Sequence, residues 1–327
     1  MILSIVIPLY NTEKYIEDCI LSIVDNNVDA SLYEVIVVND GSTDNSKAVV
    51  ERLCEKYENI KLINLENQGV SAARMKGVSL AKGEFLWFID SDDWIVNGSI
   101  EKILDSISND REIDSLVIPF QAQEDESNNI RLITDFSQAD CRTTGKDLLM
   151  RQKPTLIGPP HFIFKTALFD DMFIYFPTGI RHEDEYFSRV LQYKLKTVRL
   201  LKEPAYTYRQ WNGSFMKSSS IQSSLDLVKI YTHLSHFAET AVTKEDIKWF
   251  RHDIVSLLMS AYTSHPEIID NPDFKDFQKE NGPFIRAEFR HWRDCFSMKD
   301  QFLGVLLLNL PRVFFKARHL VASLRNR

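Results

Sequence analysis

An alternation constrains the fold of this chain more than any other feature. Short apolar, β-branched runs at residues 3–9, 33–39, 60–65 and 85–90 are separated by stretches whose apolar residues recur at helical spacing. Between the first two runs, Ile16, Ile20, Ile23 and Val24 fall on one face of a helix reaching residue 26, for which Asn11 and Thr12 offer caps. Residues 42–46 offer caps to a second helix ending near Lys56, and a third helix spans 71–82 and is closed by Gly83. Runs that are apolar almost continuously, as at 3–9 and 33–39, need cover on both faces, which is the signature of parallel strands packed between helices. Strand and helix alternating four times in ninety residues predict an α/β, doubly wound sheet. Ligands in such sheets lie beyond the carboxyl ends of the strands. Polar clusters stand at three of those ends: Tyr10-Asn11, Asp40-Gly41-Ser42 and Asp90-Ser91-Asp92.

Composition removes several classes of function. Hydrophobic residues at 44% and charged residues at 26% suit an ordinary globular core. A net charge of −7 argues against nucleic acid as the main partner. Cys19, Cys54, Cys141 and Cys295 form no CxxC pair, so neither a zinc knuckle nor a redox motif is indicated. The opening MILSIVIPLYN lacks a basic region and meets Pro8 early, unlike a secretion signal, and the apolar run 302–310 is too short to span a bilayer. These features point to the cytoplasm.

The stretch FLWFIDSDDW (85–94) reads as a buried strand that ends in Asp90, Asp92 and Asp93. Aspartates are common in turns for their own hydrogen bonds. The gathering of polar clusters at strand ends favours a built acidic site over a solvated turn. A second acidic group, Glu183-Asp184-Glu185, opens a helix reaching Leu195, where carboxylates are also common because the helix dipole favours them. Further along, residues 115–121, 197–201 and 204–209 look extended. From Ser224 the pattern is mainly helical, with Pro266, Pro272 and Pro283 as breaks.

The ordered set VIPLYN (6–11), VVNDGSTDNS (37–46), NQGVSAAR (67–74), GEFLWFIDSDD (83–93) and HEDEYF (182–187) resembles the family 2 glycosyltransferases with a GT-A fold. The resemblance implies a catalytic domain over 1–215 and a mainly helical region over 216–327. It also implies inverting, metal-dependent transfer from a nucleotide-diphosphate sugar, with UDP as the expected nucleotide. The acceptor would be a glycan or a lipid-linked hydroxyl, in cell-surface polysaccharide synthesis. On this pattern Pro8 and Tyr10 line the base pocket, Asp40 contacts the base, Asn11, Gly41, Ser42 and Gly69 belong to the donor site, and Arg74 approaches the donor. Asp90-Ser91-Asp92 matches the family's DxD motif, with Asp92 the direct ligand of Mn²⁺ or Mg²⁺ and Asp90 on the ribose or a metal-bound water. Hard divalent cations take oxygen ligands, and one at a diphosphate would offset its charge. Asp184 takes the place of the catalytic base and Glu183 that of its partner in the pair. Arg209 and Ser214 belong to a stretch that closes over the pyrophosphate in the family. Met75 departs from the pattern, since Asn often follows this arginine.

Two rival readings use the same residues: a nucleotide-sugar-binding module without catalysis, and a nucleotidylyltransferase-like α/β enzyme. The intact HEDEYF counts against the first, and VIPLYNTEKY, neither Gly-rich nor basic, counts against the second. Residues 302–327 join an apolar run to Arg312, Lys316, Arg318, Arg325 and Arg327 with no acidic residue. Such a tail suits the inner face of an anionic membrane, a second copy in a homodimer, or the chain's own body.

Overall fold

The computed structural model describes residues 1–124, 129–137, 142–152, 155–210, 221–263, 272–293, 301 and 305. They form two compact units, residues 1–179 with 183–214, and residues 180–182 with 215–327.

The first unit opens as the alternation predicts: β1 (Leu3–Leu9), α1 (Ile16–Val24), β2 (Tyr33–Asp40), α2 (Ser46–Lys56), β3 (Ile60–Leu65), α3 (Val70–Leu80) and β4 (Phe85–Phe88). All residues of β1, β2 and β4 are buried, as strands covered on both faces must be. After β4 come β5 (Trp94–Ile95), α4 (Ser99–Ser108), β6 (Ser115–Val117), β7 (Phe120–Glu124), β8 (Ile130–Leu132), β9 (Arg142–Thr143), α5 (Gly145–Arg151), β10 (Phe162–Lys165), α6 (Glu183–Lys194), β11 (Val198–Leu200) and β12 (Tyr206–Gln210).

Among the described residues the main sheet has the order β3-β2-β1-β4-β10-β6-β11-β9. Strands β1 to β4 are mutually parallel, and β10 runs antiparallel between β4 and β6. The chain steps outward from β1 to β3 and then returns to the other side of β1 for β4. The carboxyl ends of β1 and β4 therefore flank the topological switch point, the place where open α/β sheets bind their ligands. Val6 stands opposite Phe88, so residues 10–12 and 90–92 leave the sheet side by side. A second sheet, β5-β12-β7-β8, holds the segment after β4 by pairing Thr207 with Trp94 and Tyr206 with Ile95.

Several local expectations shift. Residues 115–121 are not one strand: Pro119 separates β6 from β7, which belong to different sheets. Helix α1 starts at Ile16, not beside Asn11 and Thr12, because those two residues cross-link neighbouring loops instead of capping it. Helix α3 lies close on β1: a Cβ at Gly77 would come within 2.2 Å of Val6 Cγ1, so only glycine permits that approach.

The second unit contains α7 (Ile221–Ala241), α8 (Ile247–Thr263) and α9 (Pro272–Trp292). Pro283 does not break α9. Phe277, Ile285 and Phe289 are buried on both sides of it, so packing carries the helix across the one missing backbone bond. Residues 180–182 join this unit because Arg181 N–H donates to Asp226 Oδ2 at 3.2 Å and His182 Nε2 meets Ser223 Oγ at 2.6 Å. No helix among the described residues is long and apolar enough to cross a membrane. Apart from Val305, residues 302–327 lie outside the described residues.

Candidate active site

The loops after β1 and β2 are laced together. Asn11 adopts φ +52°, and its Oδ1 accepts from Thr43 N–H at 2.8 Å while its own N–H donates to Ser42 Oγ at 3.1 Å. Thr12 N–H donates to Ser46 Oγ at 2.9 Å, and Glu13 N–H donates to Asp44 Oδ2 at 3.0 Å. Asn11 and Ser42 thus tie the loops after β1 and β2 together. Tyr10 beside them is 47% exposed, and Pro8 is buried in the sheet.

Asp40 is buried at the end of β2 and accepts one hydrogen bond at each oxygen, from Gln68 N–H and Gly69 N–H, both at 2.8 Å. It therefore fixes the entry to α3. Gly69 has φ +91°, in the left-handed region that glycine alone enters easily, and Gly41 turns the chain at φ +72°. A carboxylate has lone pairs beyond these two bonds, so a ligand contact at Asp40 remains open to it.

Helix α3 delivers Arg74 into the centre. Its side chain is 6% exposed, with Nη2 donating to Asp90 Oδ1 at 3.0 Å and Nη1 to Glu183 Oε1 at 2.7 Å. The Phe176 ring lies 5.1 Å from the guanidinium carbon. Burial works against the charge, but Asp90 and Glu183 more than offset it and hold the guanidinium pKa above its usual value. One fork thus joins the two acidic groups, which lie 93 positions apart in the chain when Asp90 is taken with Glu183 (183 − 90).

The turn after β4 is tightly held. Ser91 Oγ accepts from Thr12 Oγ1 at 3.0 Å, and Asp93 N–H closes the turn on Asp90 O at 3.1 Å. Asp90 is 38% exposed and Asp92 half-buried, whereas Asp93 is buried. Asp93 accepts from the Tyr206 hydroxyl and from Arg209 N–H. Burial, then the Asp92 and Asp90 charges, push the Asp93 carboxyl well above the usual carboxylate range. Asp93 therefore supports the turn.

Arg209 is not in a closing loop. It lies in β12, with Nε donating to Asp92 O at 2.9 Å and the guanidinium carbon 4.7 Å from the Tyr15 ring and 4.5 Å from the Trp94 ring. Strand pairing and ring contacts fix it where the family pattern placed a mobile segment. Ser214 lies outside the described residues.

The second acidic group opens α6. Glu183 accepts from Arg74, and Glu185 pairs with Arg189 one turn on. Asp184 lies between them, its Oδ1 accepting from Glu185 N–H at 3.0 Å. Withdrawal from water, then the charges of Glu183 and Glu185, push its carboxyl up to about 7, against a smaller opposing pull from Arg74. A carboxylate poised near neutrality suits proton transfer. His182, just before it, adopts φ +63°.

Residues 4–173, just over half of the chain, match the model of "Glycosyl transferase family 2". The chain belongs to glycosyl transferase family 2. As a family member it is a glycosyltransferase, and its fold is GT-A. It is 24% identical over 304 residues to the glycosyltransferase GlyG of Streptococcus pneumoniae, covering 89% of this chain and 98% of GlyG. It is 31% identical over 214 residues to the putative glycosyltransferase EpsH of Bacillus subtilis, covering 63% of this chain and 60% of EpsH. The crystal structure of TarS 1–349 from S. aureus in complex with UDP-GlcNAc shares the fold, with a TM-score of 0.76 at 20% identity over 98% of this chain and 92% of that one.

Two features of the site escape a reading of the sequence alone: the Tyr206 hydroxyl and the Thr12 hydroxyl, both on the acidic turn. The alternation of YTYRQ announces a strand, but nothing in it announces the turn that the strand supports.

Proposed function

We propose that this glycosyltransferase moves a sugar from a UDP-sugar, with a divalent cation and inversion at the anomeric carbon, to a hydroxyl of a cell-wall or surface polymer. One observation carries the reading: Arg74 gathers Asp90, beside the sheet's switch point, and Glu183, the neighbour of the near-neutral Asp184, around one guanidinium. Donor-side acid and base-side acid thereby face a common centre.

The residues present fit a divalent cation. Among the described residues no three acidic, His or Cys side chains gather as a self-sufficient metal cage. Asp90 and Asp92 supply hard oxygen donors beside the switch point, and cations of this class are commonly bound by one or two carboxylates with substrate phosphates and water completing the shell. Asp92 would be the principal ligand, the position that the DxD resemblance gives it, with Asp90 beside it. Such an ion, when bound, neutralises charge on the departing diphosphate.

The chain's own groups do the rest. Asp184 takes the proton of the acceptor hydroxyl as its oxygen attacks the anomeric carbon. The bond from that carbon to the diphosphate oxygen breaks, and its electron pair leaves with UDP. Glu183, held by Arg74, keeps the base's helix in place. Base and leaving group on opposite faces give inversion, the geometry also used by inverting glycosidases. The UDP assignment is supported by the fold shared with TarS, which was crystallised with UDP-GlcNAc. The wall-polymer setting is supported by the name of TarS, the poly(ribitol-phosphate) beta-N-acetylglucosaminyltransferase of Staphylococcus aureus, which is 28% identical over 231 residues, covering 69% of this chain and 39% of TarS. Transfer of labelled sugar from a panel of UDP-sugars to poly(ribitol phosphate) and other isolated surface glycans tests the proposal. Transfer supported by Mn²⁺, with inverted anomeric configuration, is expected. Transfer only from GDP- or dTDP-sugars, or with retained configuration, contradicts it.

A further inference from the structure

Strand β12 contributes no carboxylate, yet it grips the acidic turn at three of its four residues. Tyr206 is fully buried, its ring stacked on Phe120 at 4.4 Å and edge-on to Trp87 at 6.4 Å. Packed rings leave the hydroxyl one place to be. There it accepts from Asp90 N–H at 3.3 Å and donates to Asp93 Oδ2. Three residues on, Arg209 N–H donates to Asp93 Oδ1 at 2.8 Å and Arg209 Nε to the main-chain oxygen of Asp92 at 2.9 Å. The remaining residue, Ser91, is held from the other side by Thr12.

The Arg209 guanidinium is occupied in its own right. Tyr15 and Trp94 rings lie against it, and Nη2 is 3.5 Å from Asp18 Oδ2. A cation so engaged is a poor candidate for reaching out to a phosphate, and a good one for fixing the peptide that carries Asp92. The direction of that peptide decides where the Asp92 carboxylate points, and functional groups tolerate only about 0.5 Å of misplacement.

We propose that Tyr206 and Arg209 are positioning residues for the Asp92 carboxylate, and that Arg209 acts through this turn and not as a phosphate ligand. This rests on the reading of Asp92 as the cation's ligand in the proposed function. Loss of either positioning group should weaken only the part of UDP binding that depends on the cation. Losing one hydrogen bond to a charged or site-defining group corresponds to roughly tenfold in affinity.

The test is calorimetric binding of UDP, in Mn²⁺ and in EDTA, to the wild type, Tyr206→Phe, Arg209→Lys and Arg209→Ala, with thermal unfolding of each as a control. The expected result is a loss of about tenfold in Mn²⁺ for both conservative variants, with EDTA affinities unchanged. The Mn²⁺ concentration giving half-maximal UDP binding should rise by the same factor. If Tyr206→Phe does not fold, the same ratio measured for Arg209→Lys decides. Wild-type affinity in Arg209→Lys with a loss in both Mn²⁺ and EDTA for Arg209→Ala would make Arg209 a phosphate ligand and overturn the proposal. Unchanged affinities in every variant would overturn it too. Wild-type binding that ignores EDTA would instead remove the cation reading itself, and this inference with it.

Discussion

Two acidic turns face one arginine, and they are built in opposite ways. Asp90-Ser91-Asp92-Asp93 follows a fully buried strand and is pinned by side chains and backbone from β12 and from the loop after β1. Its outer carboxylates keep contact with water, and the most buried one, Asp93, serves as the anchor. Glu183-Asp184-Glu185 occupies the first turn of a helix, where the outer two carboxylates are neutralised by Arg74 and Arg189 and the middle one is left among like charges. The first arrangement holds oxygen donors still for a partner that brings positive charge. The second raises proton affinity. Carboxylates clustered in one short turn are thus set to two tasks by their surroundings.

The comparison breaks first at Asp184. Asp184→Asn should lower turnover by roughly 10³-fold while leaving UDP affinity unchanged, since only proton transfer is removed. Unaltered turnover would strip the helix turn of its role. The same variant has a signature in stability. The folded carboxyl binds its proton more tightly than the unfolded one, so folding stability falls as pH rises from about 4, the unfolded value, to about 7. Asp184→Asn should flatten that slope in denaturant titrations across this window.

Arg74 tests whether the turns are linked. Arg74→Ala leaves Asp90 and Glu183 without their shared cation and should cost about 3 kcal/mol of unfolding free energy, the range for breaking a buried pair. A loss below about 0.5 kcal/mol, the level of a surface pair, would show that each turn stands alone.

Glu183→Gln sharpens the comparison from the base's side. Burial is the main cause of the raised Asp184 carboxyl, with the Glu183 charge next, so removing that charge should move the acid limb of kcat/KM below about 7 by up to about one pH unit. An immobile limb would locate the titrating group elsewhere. The smallest effect is expected on the donor's far side. Tyr10→Ala, which removes an exposed ring, should weaken UDP and uridine alike by a factor of a few, on the order of 1 kcal/mol. A loss confined to UDP would move Tyr10 from the base to the phosphates.

How much of this was legible in the sequence follows from locality. Strands β1, β2 and β4 are buried throughout, β3 at the sheet's edge only in part, and all four are bounded by turn residues, so their pattern and their parallel arrangement are written in adjacent positions. Asp90 and Asp92 stand out for the same reason, as a local cluster after an apolar strand, whereas Asp184, in a common kind of acidic helix start, is singled out only by the family resemblance. What the pattern could not convey was pairing at a distance. Residues 115–121 read as one strand because periodicity does not report which sheet a strand joins, and Pro119 divides them between two. Pro283 read as a break because burial of Phe277, Ile285 and Phe289 depends on tertiary packing. Arg209 read as a mobile cation until Tyr15, Trp94 and the Asp92 carbonyl were seen around it. Tyr206, 116 positions along the chain from Asp90, had no local signal for its hydroxyl's role.

The central claim is that the turn after β4 presents Asp92 to a cation shared with the donor's diphosphate. Calorimetric titration of UDP into the wild type and Asp92→Ala, in Mn²⁺ and again in EDTA, tests it most directly. Wild-type binding that weakens sharply in EDTA, and a mutant whose affinity in Mn²⁺ falls to that chelated level, is the predicted result. Binding of equal strength in all four titrations would contradict the claim and reduce Asp92 to one more residue of a well-held turn.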